Sequence, residues 1–393
     1  MSGPLRNLKI LDFTTLLPGP YATMMLADMG AEVLRVLSNS YPDMASFLPP
    51  FLPGSDLSCN LAYMGRGKRC MNLNLKSAAA VDIVHRLIKK YDIIIEQFRP
   101  GVMAKLGLGY KDLKSVNPSL IYCSLTGYGQ TGPLKDRAGH DINYLARSGL
   151  MNYSGKKAGG PSLTGMQIAD VASGSNNAVI GLLAAVIHRH DTGKGQHIDV
   201  SMTDGVMAFN AMMATTYLAG APEPKREQEL LNGGSIYDFY KTKDGQYISF
   251  GGLEAQFFAN FCRIIGREDL IPYGVIPPHL KKVKKEIQKI ILQKTRDEWA
   301  DLFSQVDACV EPVLSLSEAI ADENTKAREM VVEFSLPSGD TLKQIANPIK
   351  FSDSKQEYRF IGCLAGTHTR EVLIETGYTE EQIRNYEKEG VLR

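Results

Sequence analysis

The sequence predicts an α/β fold, with a parallel sheet covered by helices and then a smaller α+β domain. Three observations carry this. Short apolar runs alternate with amphipathic ones from Leu8 to Val200, a proline-rich charged stretch at 218–225 breaks that alternation, and an Asp244-Gly245 turn between two alternating runs signals a hairpin just beyond it. With 393 residues, 44% of them hydrophobic, the chain is long enough to bury a large core and to divide into two domains.

Residues 8–13 read as a buried strand. Leu17-Pro-Gly-Pro20 reads as a helix start, because proline fixes φ where no donor is needed; a helix over 21–29 and a strand over 32–36 complete a βαβ unit. The pattern repeats as a helix over 78–90, a strand over 92–96, a helical turn over 102–106 and a strand over 120–125. A long helix is expected from about 169 to 190, interrupted by nothing stronger than glycine, with Thr192-Gly-Lys-Gly195 turning into a strand over 196–200. The hairpin strands are 236–240 and 246–250. Lys281-Lys-Val-Lys-Lys-Glu-Ile-Gln-Lys289 looks like a basic patch, but Val283, Ile287 and Ile291 recur at helical spacing, so the lysines are the solvated face of an ordinary helix.

Composition excludes several functions. Lys+Arg 44 against Asp+Glu 43 leaves no global field for nucleic acid or an anionic membrane, so neither partner is expected and any anion site must be local. Six scattered cysteines show no metal-type spacing, no leader-like N-terminus is seen, and the longest apolar runs, such as 178–187, look too short to span a bilayer; a cytoplasmic protein with reduced thiols is expected. The final Gly390-Val-Leu-Arg393 is not a peroxisomal signal. Gly65-Arg-Gly67 lacks the third glycine and the following helix of a dinucleotide site, Thr192-Gly-Lys-Gly195 lacks the P-loop spacing, and no Gly-x-Ser-x-Gly elbow occurs. His188 and His190 fit a helix end better than a metal.

What remains is a constellation for proton chemistry. Arg137-Ala-Gly-His-Asp-Ile-Asn-Tyr144, the isolated Asp170 and Gly251-Gly-Leu-Glu-Ala-Gln-Phe-Phe258 supply one histidine and two carboxylates in glycine-marked turns, the groups needed to move a proton on and off carbon.

Leu17-Pro-Gly-Pro20, Gly65-Arg-Gly-Lys-Arg69, Phe98-Arg-Pro-Gly-Val-Met-Ala-Lys-Leu-Gly-Leu-Gly109, Leu125-Thr-Gly-Tyr-Gly-Gln-Thr-Gly132, Gly193-Lys-Gly-Gln196 and Asp204-Gly205, in this order, resemble the family III (CaiB/BaiF-like) CoA-transferases, which include α-methylacyl-CoA racemases. The resemblance covers nearly the whole chain. It implies a large Rossmann-like domain (1–204 and 346–393), a small α+β domain (231–325), crossing linkers at 205–230 and 326–345, and an interlocked homodimer with its site between the large domain of one subunit and the small domain of the other. Transferases of this kind use the residue matching Asp170 as a nucleophile; racemases share it and add the Gly139-His-Asp-Ile-Asn-Tyr144 and Gly-x-x-Glu-x-Gln-Phe runs, both present here.

That match implies racemisation of 2-methylacyl-CoA thioesters by 1,1-proton transfer through an enolate, without metal or redox cofactor beyond the CoA moiety of the substrate. His140 and Asp170 become the two bases, Glu254 the orienter of the imidazole, and Asp141 a second orienter or a pantetheine contact. Backbone N–H groups near Ala172, Ser173 and Gly174 become donors to the enolate oxygen. Lys68, Arg69, Arg99 and Lys105 become the cations that hold CoA. The runner-up is a CoA-transferase acting through an acyl-Asp170 anhydride. A catalytically silent acyl-CoA-binding dimer would require loss of the acid–base set. The acyl group stays open among branched fatty acids, bile-acid intermediates and aryl-propionates. The chain departs from the family pattern at Leu37-Ser-Asn39, where many members have an acid, an arginine and a proline, and at Gly65 and Cys70, where Asn and Ser are more common.

Overall fold

The computed structural model describes residues 3–38 and 42–392, so Asn39 lies outside the described residues. The chain divides into two compact units, one within Met1–Ser148, Thr164–Phe209 and Glu329–Arg393, the other Gly149–Leu163 and Asn210–Arg328.

The first unit is built on six parallel strands: β1 (Lys9–Phe13), β2 (Glu32–Leu37), β3 (Lys68–Asn72), β4 (Ile93–Glu96), β5 (Ile121–Thr126) and β6 (His197–Ser201). Their spatial order is β3-β2-β1-β4-β5-β6, a Rossmann-like arrangement. Continuous apolar runs such as Ile93-Ile-Ile95 are buried on both faces, as a helix-covered parallel sheet requires. Leu11, Leu34, Ile94 and Leu87 share one core with Val372 and Ile383 of the C-terminal helices, which explains why the tail belongs to this unit. Each such side chain contributes roughly 1.5–3 kcal/mol by leaving water.

The long helix differs from its expectation. It opens as a π turn, Ala169–Ser175, before continuing as the α-helix Asn176–Thr192 and ending at Gly193 with φ 70°. Ser175 Oγ donates to Asp170 O (3.1 Å) and to Pro18 O (2.7 Å), and a Cβ on Gly174 would stand 3.0 Å from Met202 Cγ. The wide turn therefore forms where helices Pro18–Asp28 and Met202–Phe209 press against it. The whole run Ala169–Thr192 is long and apolar enough to cross a membrane by length and composition, more than the apolar stretch 178–187 suggested. In this fold Ala178, Val179, Leu182 and Ala185 are buried.

The expected linkers carry regular structure. Residues 205–230 include most of helix Met202–Phe209 and all of helix Ala211–Leu218, leaving 221–225, where the prolines cluster, without any. Residues 326–345 hold an antiparallel hairpin, Val331–Ser335 with Thr341–Ile345, grouped with the first unit. The unit boundaries accordingly fall at Phe209/Asn210 and Arg328/Glu329, and 149–163 joins the second unit, an excursion no composition shift announced.

The second unit has an antiparallel sheet ordered β7-β8-β9: β7 (Asp238–Lys241), β8 (Tyr247–Phe250) and β9 (Val310–Pro312). Gly245, at φ 81°, supplies the left-handed residue of the β7–β8 turn. Phe250, Phe261, Ile287, Trp299 and Phe303 form its core, and Val283, Ile287 and Ile291 are the buried face of helix Leu280–Ile291; of its lysines, Lys284 is half-buried, donating to Gly233 O, Ser235 O and Asp238 Oδ2.

Candidate active site

The strand order reverses between β1 and β4, so their connections leave on opposite sides and open a crevice beyond the strands' carboxyl ends. A cleft of about 460 Å³ lies there, lined by Gln97, Arg99, Tyr128, Arg137, His140 and Asp170 among others. Gln97 Oε1 accepts Gly19 N–H (3.1 Å), tying the loop after β4 to the start of the helix after β1.

His140 stands at the N-cap of helix Asp141–Arg147 in extended backbone, its own N–H donated to Asn143 Oδ1 (3.0 Å), which leaves the imidazole exposed on the cleft wall. Gly139 is required by sterics, because a Cβ there would lie 2.7 Å from the Tyr144 ring, whose hydroxyl donates to Gly139 O (2.5 Å). Asp141 Oδ1 accepts the N–H groups of Ala169 (2.6 Å) and Asp170 (3.1 Å). It thereby fixes the turn that carries Asp170.

Burial pushes the Asp170 carboxyl up to about 6; the neighbouring Asp141 charge adds to this and His140 opposes it. A base titrating there is ionised at neutral pH and still a strong enough acid to return its proton. Burial foremost, with the charges of Asp170 and Asp141 and the Tyr128 phenol, pushes Tyr144 up to about 12, so it stays a neutral donor. Ser173 and Gly174 are buried within the π turn against Met202 and Pro18, so their small size serves helix packing instead of an approach to substrate.

A second cleft, about 570 Å³, shares Leu16, Gln97, Phe98 and Arg99 with the first and continues past the ends of β1 and β2. Its wall is mostly apolar (Phe13, Val36, Leu37, Leu75) with Lys76 and Arg99 as cations. Leu16 has φ 62°, a left-handed conformation that costs a branched residue energy, and Asp43 Oδ1 holds it by accepting its N–H (2.9 Å). At the end of β4, burial pushes the Glu96 carboxyl up to about 7, and Oε2 accepts Phe98 N–H (2.8 Å).

Of the four expected CoA cations, only Arg99 lines these clefts. Lys68 is wholly buried, donating to Pro20 O (2.7 Å) and Thr23 Oγ1 (2.6 Å) beside Asp12, and burial draws its pKa down to about 8. Arg69 pairs with Glu32, Glu371 and Glu375. Both are part of the framework behind the site, because β3 is an edge strand whose charged residues point to partners on β1, β2 and the C-terminal helix. Lys105 is exposed at the end of helix Val102–Lys105, outside both walls. Sequence reasoning passed over Lys76 and Lys135, which lie in loops where a lone lysine carries no signal, and gave Tyr144 no role of its own.

Glu254 belongs to the second unit, exposed at the N-cap of helix Ala255–Ile264. His140 and Asp170 belong to the first.

A crevice at the switch point of a Rossmann-like sheet, lined by a histidine and a perturbed aspartate, marks an α/β enzyme. The pattern of the CoA-transferase family III matches residues 5–369, and the chain belongs to that family. It is 33% identical to an alpha-methylacyl-CoA racemase of Homo sapiens over 392 residues, 99% of this chain and 97% of that enzyme. It is also 33% identical to a succinyl-CoA:glutarate CoA-transferase of Mus musculus, over 99% of this chain and 90% of that one. The crystal structure of a CAIB/BAIF family protein from Brucella suis superposes with a TM-score of 0.84 at 27% identity, covering 96% of this chain and all of that one.

Proposed function

We propose that this enzyme inverts the α-carbon of 2-methylacyl-CoA thioesters by 1,1-proton transfer through an enolate. The observation that carries the reading is that His140 and Asp170 line one cleft, with the Asp170 carboxyl raised to about 6. Inversion needs a base on each face of the carbon, one to remove the proton and one to return it. Asp170, fixed by Asp141, takes one face and His140 the other. Arg137, on the same wall, supports the negative charge that develops on the thioester oxygen. The thiol arm and nucleotide of CoA occupy the second cleft, its phosphates facing Arg99 and Lys76. Glu254 orients the imidazole and is supplied by a second copy in a homodimer, as the family resemblance implies. This chemistry calls on no metal or redox group.

The test is wash-in of solvent deuterium. A stereochemically pure 2-methylacyl-CoA incubated with the enzyme in D2O should gain deuterium at its α-carbon and lose optical purity together. No incorporation across several branched acyl-CoAs, with CoA moving readily to a free acid, would sink the proposal. That second reading, a transferase with Asp170 as nucleophile, is supported by the equal identity to the mouse transferase. It requires a stoichiometric acyl-Asp170 adduct, trapped by hydroxylamine or borohydride, which a racemase base never forms.

A further inference from the structure

The segment ahead of helix Thr369–Glu375 runs along the free edge of β3. Gly67 N–H donates to Phe360 O (2.8 Å), Gly362 N–H to Ala62 O (2.8 Å) and His368 N–H to Cys70 O (2.9 Å). This lays the chain at Cys363 alongside Cys70. Cys363 Sγ also stands 3.7 Å from His368 Nδ1, which accepts Cys70 N–H (3.2 Å). Accepting that N–H fixes the tautomer with Nδ1 unprotonated, its lone pair directed at the Cys70 amide and Cys363 Sγ beside it.

Arg35 is the register partner of Cys70 on β2 and is wholly buried. Its Nη2 serves Thr14 O and Asp43, while Nε and Nη1 have no hydrogen-bond partner among the described residues. The neighbouring Cys70 thiol foremost, then the Thr367 hydroxyl and the Arg35 charge, hold the Cys363 thiol below its ordinary range. The same pairing, with burial, holds Cys70 well above it. Cys363 is half-buried and reachable; Cys70 is fully enclosed. One accessible, acidified thiol backed by one buried, protonated thiol is the arrangement of an attacking and a resolving cysteine. Cys70 replaces the serine more common in the family resemblance, so the pair is a departure of this chain.

We propose that Cys363 and Cys70 form a reversible disulfide in response to hydroperoxides. The Cys363 thiolate attacks the peroxide O–O bond, giving the sulfenic acid and releasing hydroxide, which takes up the thiol's proton as water. Cys70 then attacks the sulfenic sulfur, the S–S bond forms, and its proton leaves with the hydroxyl as a second water. Two thiols are oxidised and one peroxide is reduced. An external thiol reverses the bond by exchange.

The reduced full-length protein is treated with equimolar hydrogen peroxide, its thiols counted, and its peptides mapped without reductant. The expected result is loss of two of the six thiols, a linked Cys70–Cys363 peptide lighter by two hydrogens, and recovery with dithiothreitol. Cys70→Ser should stop at a Cys363 sulfenic acid captured by dimedone. A bridge between other cysteines, or Cys363 passing to sulfinic acid in the unaltered protein with no linked peptide, would overturn the proposal. The mapping uses the native chain, so a variant that fails to fold does not blunt it.

Discussion

Asp170 is a carboxyl that folding makes less acidic, and this has two consequences of opposite sign. Its folded value of about 6 lies above the ordinary 3.8, so between those values the folded chain holds more protons than the unfolded one. Stability from this group therefore falls as pH rises from about 4 to about 6 and stays lower above it. Asp170→Asn should stabilise the fold at pH 8 by roughly 1–2 kcal/mol, discounted for its partial exposure, and give no gain below about pH 4; denaturant midpoints at the two pH values check this. In the proposed reaction the dependence runs the other way. Proton removal by Asp170 should rise with pH to half its plateau near 6, and Asp141→Asn, by removing a like charge, should move that limb to lower pH. The two bases should also separate by epimer. His140→Ala and Asp170→Ala should each slow wash-in from one enantiomer by about 10²–10⁴ more than from the other; equal losses for both would contradict a two-base site.

At the scale of elements, β3 and the loop after β4 show how the same residue type serves opposite ends. Lys68 and Arg99 both sit in runs that suggest phosphate contacts, but Lys68 is enclosed with Asp12 while Arg99 stands on both clefts. Lys68→Met should cost about 3–5 kcal/mol, because it strands a buried carboxylate, and should leave KM for acyl-CoA within about twofold in the protein that remains folded. Arg99→Ala should raise KM about tenfold, the loss of one charge-assisted contact, with little change in melting temperature. A KM effect at Lys68 equal to that at Arg99 would restore the original expectation. A parallel strand reads clearly from its apolar run, but which of its charged residues face inward depends on strand order, and strand order is set by contacts far apart in the chain. The π turn was hidden for a similar reason. Ala169-Asp-Val-Ala-Ser-Gly-Ser175 is helical by local pattern, and the pressure of helices Pro18–Asp28 and Met202–Phe209 widens it.

For the whole molecule, five of the six parallel strands and the β7–β8 hairpin were legible because each is a local signal, an apolar run or an Asp-Gly turn, whereas β3 opens on Lys68-Arg69 and carries no such run. His140 and Asp170 stand out in the sequence as isolated polar residues in glycine-containing runs, and both line one cleft. The passage of 149–163 into the second unit was not, since nothing in its composition differs from a surface loop. Glu254 raises the remaining question at this scale. It is carried on the second unit, His140 and Asp170 on the first, and the proposed homodimer joins the two kinds of unit across copies. Mixed dimers test this directly. His140→Ala and Glu254→Gln chains, each impaired alone, are co-expressed with different tags and the mixed dimer is purified. If each site takes His140 from one copy and Glu254 from the other, the mixed dimer has one site with both groups intact and one with neither, so it should regain about half of wild-type wash-in. If each chain builds its own site, every site in the mixed dimer lacks one group and activity stays at the level of the single variants. A purified protein that runs as a monomer by light scattering at assay concentrations, yet is fully active, would rule out the shared site before any mixing is done.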